Sequence, residues 1–320
     1  MTVPIIMTVG GLVLLMVGAD FLVRGAVGAA RCMGISPLVI GLTVVALGTS
    51  LPELVVSLEA ALDGTPQLAV GNIVGSNIAN ILLILGVAGL ISPIRCSRMA
   101  IFRDGTAMMA ATAIFVAAGL LGTLGRAFGA LSLFLLASYM VLSYYSDRGS
   151  GDGVHAEEAD EIEPIAGGLG TSVVAVIGGL TGVILGAELL VDGAVGLARA
   201  FNVSEEVIGL TLVAFGTSVP ELATTVVAAI RRHADVALGN VLGSNLFNLM
   251  GVMGVVAIVV PVDLPAQIAR FDIWVMSGVS VLMIQFMYTG LRLSRLEALL
   301  FLAAYFVFLL IEFIGVDRLV

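Results

Sequence analysis

The strongest constraint on this chain is that it contains the same segment twice. Sliding the sequence by 168 residues lays 18–93 on 186–261 without a gap, with 36 of 76 positions identical. "GADFLVRGAVGAAR" meets "GAELLVDGAVGLAR", "VIGLTVVALGTSLPEL" meets "VIGLTLVAFGTSVPEL", and "GNIVGSNIANILLILG" meets "GNVLGSNLFNLMGVMG". Both copies lie in apolar sequence. The chain is 59% hydrophobic, 12% charged and has a mean hydropathy of +1.14; a soluble domain carries about twice that charged fraction. At about 20 residues per span, apolar segments fall near 4–30, 36–62, 68–93, 104–124, 127–146, 167–199, 204–230, 236–262, 271–290 and 294–315. Each half then holds five spans. An odd number forces the second copy to enter the membrane upside down, so the expected fold is an all-α polytopic protein of ten transmembrane helices in two inverted five-helix repeats. Inverted repeats with polar, helix-breaking motifs at matching places are the architecture of secondary transporters, with the site at the midplane.

The expected divisions are a first repeat over 1–146, an acidic linker over 147–166 and a second repeat over 167–320. The stretch "SDRGSGDGVHAEEADEIEP" (146–164) reads as a solvated connection too short for a folded regulatory domain. All 14 basic residues are Arg. Those in loops after odd-numbered spans (Arg31, Arg95, Arg98, Arg103, Arg148, Arg231, Arg232, Arg292, Arg295) outnumber those opposite (Arg126, Arg199, Arg270, Arg318). The positive-inside rule therefore puts the linker in the cytoplasm and both termini outside. No basic patch suggests nucleic acid, and no obligate protein partner or cofactor is evident. Cys32 and Cys96 have no CxxC partner and read as two packed free thiols. The first apolar run is too long for a cleaved signal and lacks a basic leader.

The motif "GTSLPEL" places Thr49, Ser50, Pro52 and Glu53 inside the second span, and "GTSVPEL" does so again with Thr217, Ser218, Pro220 and Glu221. A carboxylate at bilayer depth costs a few kcal/mol or more, and a proline removes a helix bond and crowds the preceding turn. The reading that joins both costs is a cation site. Pro52 is expected to free carbonyls over Ala46–Thr49, and its twin those over Ala214–Thr217. With the hydroxyls and the carboxylate they make a set of hard oxygens, the kind Na⁺ and Ca²⁺ prefer. The structural alternative is a proline kink around a protonated, merely buried glutamate.

The second motif, "GNIVGSNIAN" (71–80) with "GNVLGSNLFN" (239–248), puts Asn72, Ser76 and Asn80 on one helix face, as Asn240, Ser244 and Asn248 are on theirs. Its glycines suit close helix packing. Ser76, Asn80, Ser244 and Asn248 are expected to face the ions, with Asn72 and Asn240 structural. Glu53, Asn80, Glu221 and Asn248 all fall at mid-span, so two carboxylates and two carboxamides would meet at the midplane. A charge of −2 matches one Ca²⁺, two Na⁺ or two protons, which favours antiport over a channel. Asp20 and Arg24 stand i, i+4 on the first helix, but Glu188 and Asp192 replace them in the second copy. Glu59 has no acidic twin, and His155 and His233 read as solvent-facing loop residues.

These paired motifs resemble the two α-repeats of the sodium/calcium exchanger family, within the calcium/cation antiporter superfamily, and the chain is most similar to its compact prokaryotic members. The resemblance implies that Glu53 and Glu221, with backbone oxygens of Thr49 and Thr217, form a Ca²⁺ site. It implies that Ser50, Ser76, Ser218 and Ser244, with the carbonyls of Ala46 and Ala214, build Na⁺ sites beside it. Asn80 and Asn248 would complete a central diamond, in motifs spanning 46–80 and 214–248, while the first and sixth helices slide to alternate access. Some relatives carry Asp where this chain has Asn248, which bears on the coupling ion. The expected function is Ca²⁺ export in exchange for Na⁺ across a prokaryotic inner membrane, the alternative being Ca²⁺/H⁺ antiport on the same fold and a cation channel coming third. No nucleophile–base pair or zinc motif suggests an enzyme.

Overall fold

A computed structural model of the chain describes residues 2–98, 101–149, 168–201 and 216–314. Its helices are α1 (Thr2–Met33), α2 (Pro37–Thr49), α3 (Leu51–Leu62), α4 (Pro66–Ile91), α5 (Ile101–Leu121), α6 (Arg126–Gly149), α7 (Leu169–Ala200), α8 (Val219–Ile230), α9 (Ala234–Val259), α10 (Ile268–Gly290) and α11 (Arg295–Ile314). Among the described residues eight helices are long and apolar enough to cross a membrane, and the bent pair α2–α3 makes a ninth. Of the expected span 204–230 only 216–230 is described, and Ala214 and linker residues 150–166 lie outside the described residues.

Helices α4 and α9 form the centre: 78% and 89% of their apolar windows are buried, against 11% in α11. Being covered on all sides, they can carry asparagine and serine at a depth where lipid could not solvate them. Each also contains a π-helical segment, Asn80–Ile84 and Phe247–Val252, opening at or next to the asparagine that ends its motif. Helices α5 and α10 open on a matching π-helical pair, Ile101–Gly105 and Ile268–Asp272. Such segments re-aim side chains within a helix and recur at functional sites.

The prolines act differently from the expected kink. Ser50 leaves helical geometry (φ −86°, ψ 7°), and a new helix starts at Leu51 with Pro52 in its first turn. Ser218 (φ −88°, ψ 3°) and Pro220 repeat this before α8. A first-turn proline lacks an N–H that would have no intrahelical partner anyway, so the 42° bend between α2 and α3 costs little. The Ala46 carbonyl is not freed: it still accepts the Ser50 N–H at 3.0 Å. It also accepts from the Thr49 hydroxyl at 3.4 Å.

Helices α1 and α7 are the longest, 32 residues each, or about 48 Å at 1.5 Å per residue. They pack antiparallel through glycines. A Cβ on Gly18 would stand 2.6 Å from the Val183 backbone nitrogen, and one on Gly25 2.8 Å from that of Val176. The first helices of the two copies thus run in opposite directions. The short strands obey the same exchange: β1 (Ile94–Arg95) pairs antiparallel with β4 (Arg292–Leu293), and β2 (Thr123–Leu124) with β3 (Val262–Asp263), each pair joining one strand from each half.

Two expectations for single residues fail. His233 is not solvent-facing but only 8% exposed: Arg232 turns the chain with a left-handed φ of 59°, and His233 caps α9 beneath it. Burial pushes its imidazole below the usual pKa. His155 lies outside the described residues. Both cysteines are free, but only Cys96 is buried; Cys32, at the exposed end of α1, is not packed.

Replacing Gly18 by Leu should lower the unfolding temperature in detergent, because the new side chain meets backbone that cannot move aside, a misfit of about 1–3 kcal/mol. Gly10→Leu on the same helix, where a Cβ meets nothing within 4 Å among the described residues, should leave it unchanged.

Candidate functional site

The ends of α2 and α3 bring one motif to the centre, and α8 brings the other from across the molecule. Glu53 is 0% exposed and Glu221 1%. Each carboxylate is held by the other copy's serine: Ser50 Oγ donates to Glu221 Oε1 at 2.8 Å, and Ser218 Oγ donates to Glu53 Oε1 at 3.2 Å. The central helices add Ser76 Oγ, 3.4 Å from Ser218 Oγ, and Ser244 Oγ, 3.5 Å from Glu221 Oε1. Eleven of the twelve expected site residues are therefore described; all eleven are buried, and their motifs converge on one place.

Several polar atoms of these side chains are left over. Glu53 Oε2, Glu221 Oε2, Asn80 Oδ1, Thr217 Oγ1 and both amide atoms of Asn248 are buried without a hydrogen-bond partner among the described residues. Buried polar atoms are nearly always paired, so a cluster of orphaned oxygens fits a ligand that accepts lone pairs. A hard cation does. Asn80 shows how its oxygen is aimed: its Nδ2 donates to Asn245 Oδ1 at 3.0 Å, which leaves Oδ1 free.

The expected structural role of Asn240 and Asn72 agrees with the contacts. Asn240 Nδ2 donates to Thr225 Oγ1 at 2.9 Å and lies 3.4 Å from the Glu221 carbonyl, while its Oδ1 is 3.3 Å from Thr49 Oγ1. Asn72 Nδ2 donates to Ser57 Oγ at 3.0 Å. Ser57 and Thr225, both fully buried, were missed in the sequence reading. The signal was present: twin hydroxyls four residues after each glutamate, on the same helix face. Asn245 belongs with them, buried and accepting from Asn80. On α1, Asp20 pairs with Arg24 at 3.6 Å, and Arg231 from the end of α8 reaches it at 2.6 Å. Glu59, Glu188 and Asp192 are exposed and lie outside the cluster.

A buried oxygen cage at the centre of eight or nine apolar helices defines an integral multi-pass membrane protein with polar chemistry at its core. The chain belongs to the sodium/calcium exchanger family: the family profile described as "Sodium/calcium exchanger protein" matches residues 3–145 and 171–314. The chain is 38% identical over 310 residues to CaxA of Alkalimonas amylolytica, covering 95% of this chain and 97% of that one. It is 30% identical over 348 residues to the sodium/calcium exchanger MaX1 of Methanosarcina acetivorans, covering 98% and 99%. Among solved structures it matches the sodium-calcium exchanger NCX_Mj soaked with zero Na⁺ and Ca²⁺, with a TM-score of 0.84, 33% identity and 96% and 97% coverage. The relatives so named are ion exchangers, not enzymes.

Asn240→Ala should destabilise the fold by about 1–3 kcal/mol, since it strips the donor from a buried hydroxyl and carbonyl. Asn72→Ala, at a half-buried position, should cost less in the same denaturant titration in detergent. Equal losses would contradict the asymmetry described.

Proposed function

We propose that the chain is a secondary active antiporter that exports Ca²⁺ in exchange for Na⁺ by alternating access at this central site. The observation that carries the reading is the pair of buried glutamates, each tied to the opposite copy's serine and each keeping one unpartnered oxygen. A buried charge of −2 is tolerated only when neutralised. One Ca²⁺ or two Na⁺ do this equally well, whereas the empty charged site is costly to carry through apolar surroundings. That equivalence couples the two ions.

In this reading Glu53 and Glu221, with the backbone oxygens of Thr49 and Thr217, ligate Ca²⁺. Ser50, Ser76, Ser218 and Ser244, with the Ala46 and Ala214 carbonyls, serve Na⁺, and Asn80 and Asn248 close the cage. The fold is ten transmembrane helices in two inverted repeats, 1–146 and 167–320. Opposed α1 and α7, the paired strands and the matched breaks at Ser50 and Ser218 support it. The arginine distribution supports outside termini and a cytoplasmic linker over 147–166, in a prokaryotic inner membrane. No cofactor or protein partner enters the cycle. Ca²⁺/H⁺ antiport remains the second reading, on the observation that Asn248 offers a neutral amide where some relatives carry Asp. Four serines at the carboxylates favour Na⁺.

Proteoliposomes given an outward Na⁺ gradient should accumulate radiolabelled Ca²⁺, and a pH gradient alone should not drive uptake. Glu53→Gln and Glu221→Gln should each abolish uptake. Uptake driven only by the pH gradient would overturn the Na⁺ assignment, and normal transport by both variants would overturn the site.

A further inference from the structure

The duplication provides an internal comparison at a second buried carboxylate. Asp104 on α5 is 1% exposed and fully neutralised: Arg103 Nε lies 2.6 Å from Oδ1, Arg103 Nη2 lies 3.1 Å from Oδ2, and Tyr139 OH donates to Oδ1 at 2.7 Å. Its twin is Asp272 on α10, 7% exposed. Here every partner has changed. Phe271 replaces Arg103, Phe308 replaces Tyr139, and Glu312 replaces Ser143, once Arg295 is set on Arg126 to align the last helices. The two phenylalanines stack on each other, 6.5 Å apart at 11°. The Asp272 carboxyl now lies within hydrogen-bonding reach of the Glu312 carboxyl, and Gln267 Nε2 donates to Glu312 Oε2 at 3.0 Å.

The second copy has thus lost the cation and the phenol and gained a second carboxyl. Asp272 Oδ1 and Glu312 Oε1 are buried, and as carboxylate oxygens neither receives a hydrogen bond from a donor among the described residues. Among the described residues no ion pair reaches either group, and Arg270, two residues before Asp272, is exposed. Two carboxylates facing each other without a donor need positive charge between them, supplied by a bound cation or by a shared proton. The carboxyl atoms of the pair are hard oxygens, and Gln267, which presents its Nε2 to Glu312, can offer its own carbonyl oxygen by turning its amide. Asp272 closes the π-helical segment Ile268–Asp272 at the start of α10.

We propose that Asp272, Glu312 and Gln267 form a second cation site, separate from Glu53 and Glu221, that takes one hard metal cation of the Ca²⁺ class. The site stands on α10 and α11, outside the pair of repeated motifs, so a cation there is retained by the helices rather than carried through the central cage. It occupies the role that Arg103 plays in the first copy, bracing the start of α10 against the end of α11.

The chain contains a single tryptophan, Trp274, two residues from Asp272. This permits a direct test with Tb³⁺ as the probe, on the full chain in detergent. Excitation of Trp274 should sensitise Tb³⁺ emission that added Ca²⁺ displaces, in the wild type and equally in Glu53→Gln. Asp272→Asn and Glu312→Gln should each weaken Tb³⁺ binding by more than about tenfold, as expected when one charge leaves a small oxygen site. Retained Na⁺-driven Ca²⁺ uptake by Glu312→Gln would show that the variant is folded. The proposal is overturned if Asp272→Asn binds Tb³⁺ as the wild type does, or if emission disappears in Glu53→Gln instead. Absence of sensitised emission in every variant also overturns it, and leaves a proton shared between the two carboxyls.

Discussion

Two carboxylates buried at the centre of an apolar helix bundle are the constraint on which the rest of this structure depends. Glu53 and Glu221 are essentially unexposed, and each is met by a serine from the other half at 2.8 and 3.2 Å. The closest serine to each glutamate comes from the other half, with Ser244 of the same half standing farther off from Glu221 at 3.5 Å, so the site is complete only when the two copies face each other. The helix breaks at Ser50 and Ser218 serve the same end. They point the serine and the glutamate of one motif inward from successive turns, and the prolines begin new helices where their missing N–H does no harm. The fully covered α4 and α9 then supply the polar side chains that lipid-facing helices could not carry.

The halves are alike in sequence and unlike in local packing. Asn240 is fully buried and bridges Thr225, the Glu221 carbonyl and Thr49, whereas Asn72 is half-buried and, among the described residues, reaches Ser57. A Cβ on Gly41 would stand 3.0 Å from the Val236 carbonyl, and one on Gly239 3.0 Å from the Leu42 nitrogen, so α2 and α9 are in backbone contact; Gly71, the twin of Gly239, is exposed. One sequence unit thus supports two packings. In an exchanger the copies would trade them, and a population shift between such states needs only a ligand that favours one. The antiparallel glycine seam of α1 and α7, with smooth backbone on both sides, is a surface along which that trade can occur without unpacking side chains.

Much of this was legible in the sequence because the repeat does the work of an alignment. An odd number of apolar segments per copy implies inversion, and a polar residue at mid-span that recurs in the twin is hard to explain as packing. Glu53, Ser50, Ser76, Asn80 and their twins were found that way. What escaped carried a fainter mark or none. The π-helical segments depend on backbone strain relieved by neighbours, which periodicity does not encode. Ser57 and Thr225 look like ordinary helix hydroxyls until Asn72 and Asn240 are seen to reach them. The prolines were read as kinks that free the Ala46 carbonyl, but the break falls two residues earlier, at Ser50, and that carbonyl keeps its bond. His233 was placed in solvent because it sits in a short loop, yet the left-handed turn at Arg232 folds it under α9.

If one buried site holds either Ca²⁺ or Na⁺, the two ions must compete for it at equilibrium. Calorimetric titration of Ca²⁺ into the purified chain at rising Na⁺ should show the apparent affinity falling steadily at constant pH, as expected when both ions neutralise the same carboxylates. Ca²⁺ affinity that ignores Na⁺ but falls as the pH is lowered would contradict the account and leave the proton as the exchanged ion.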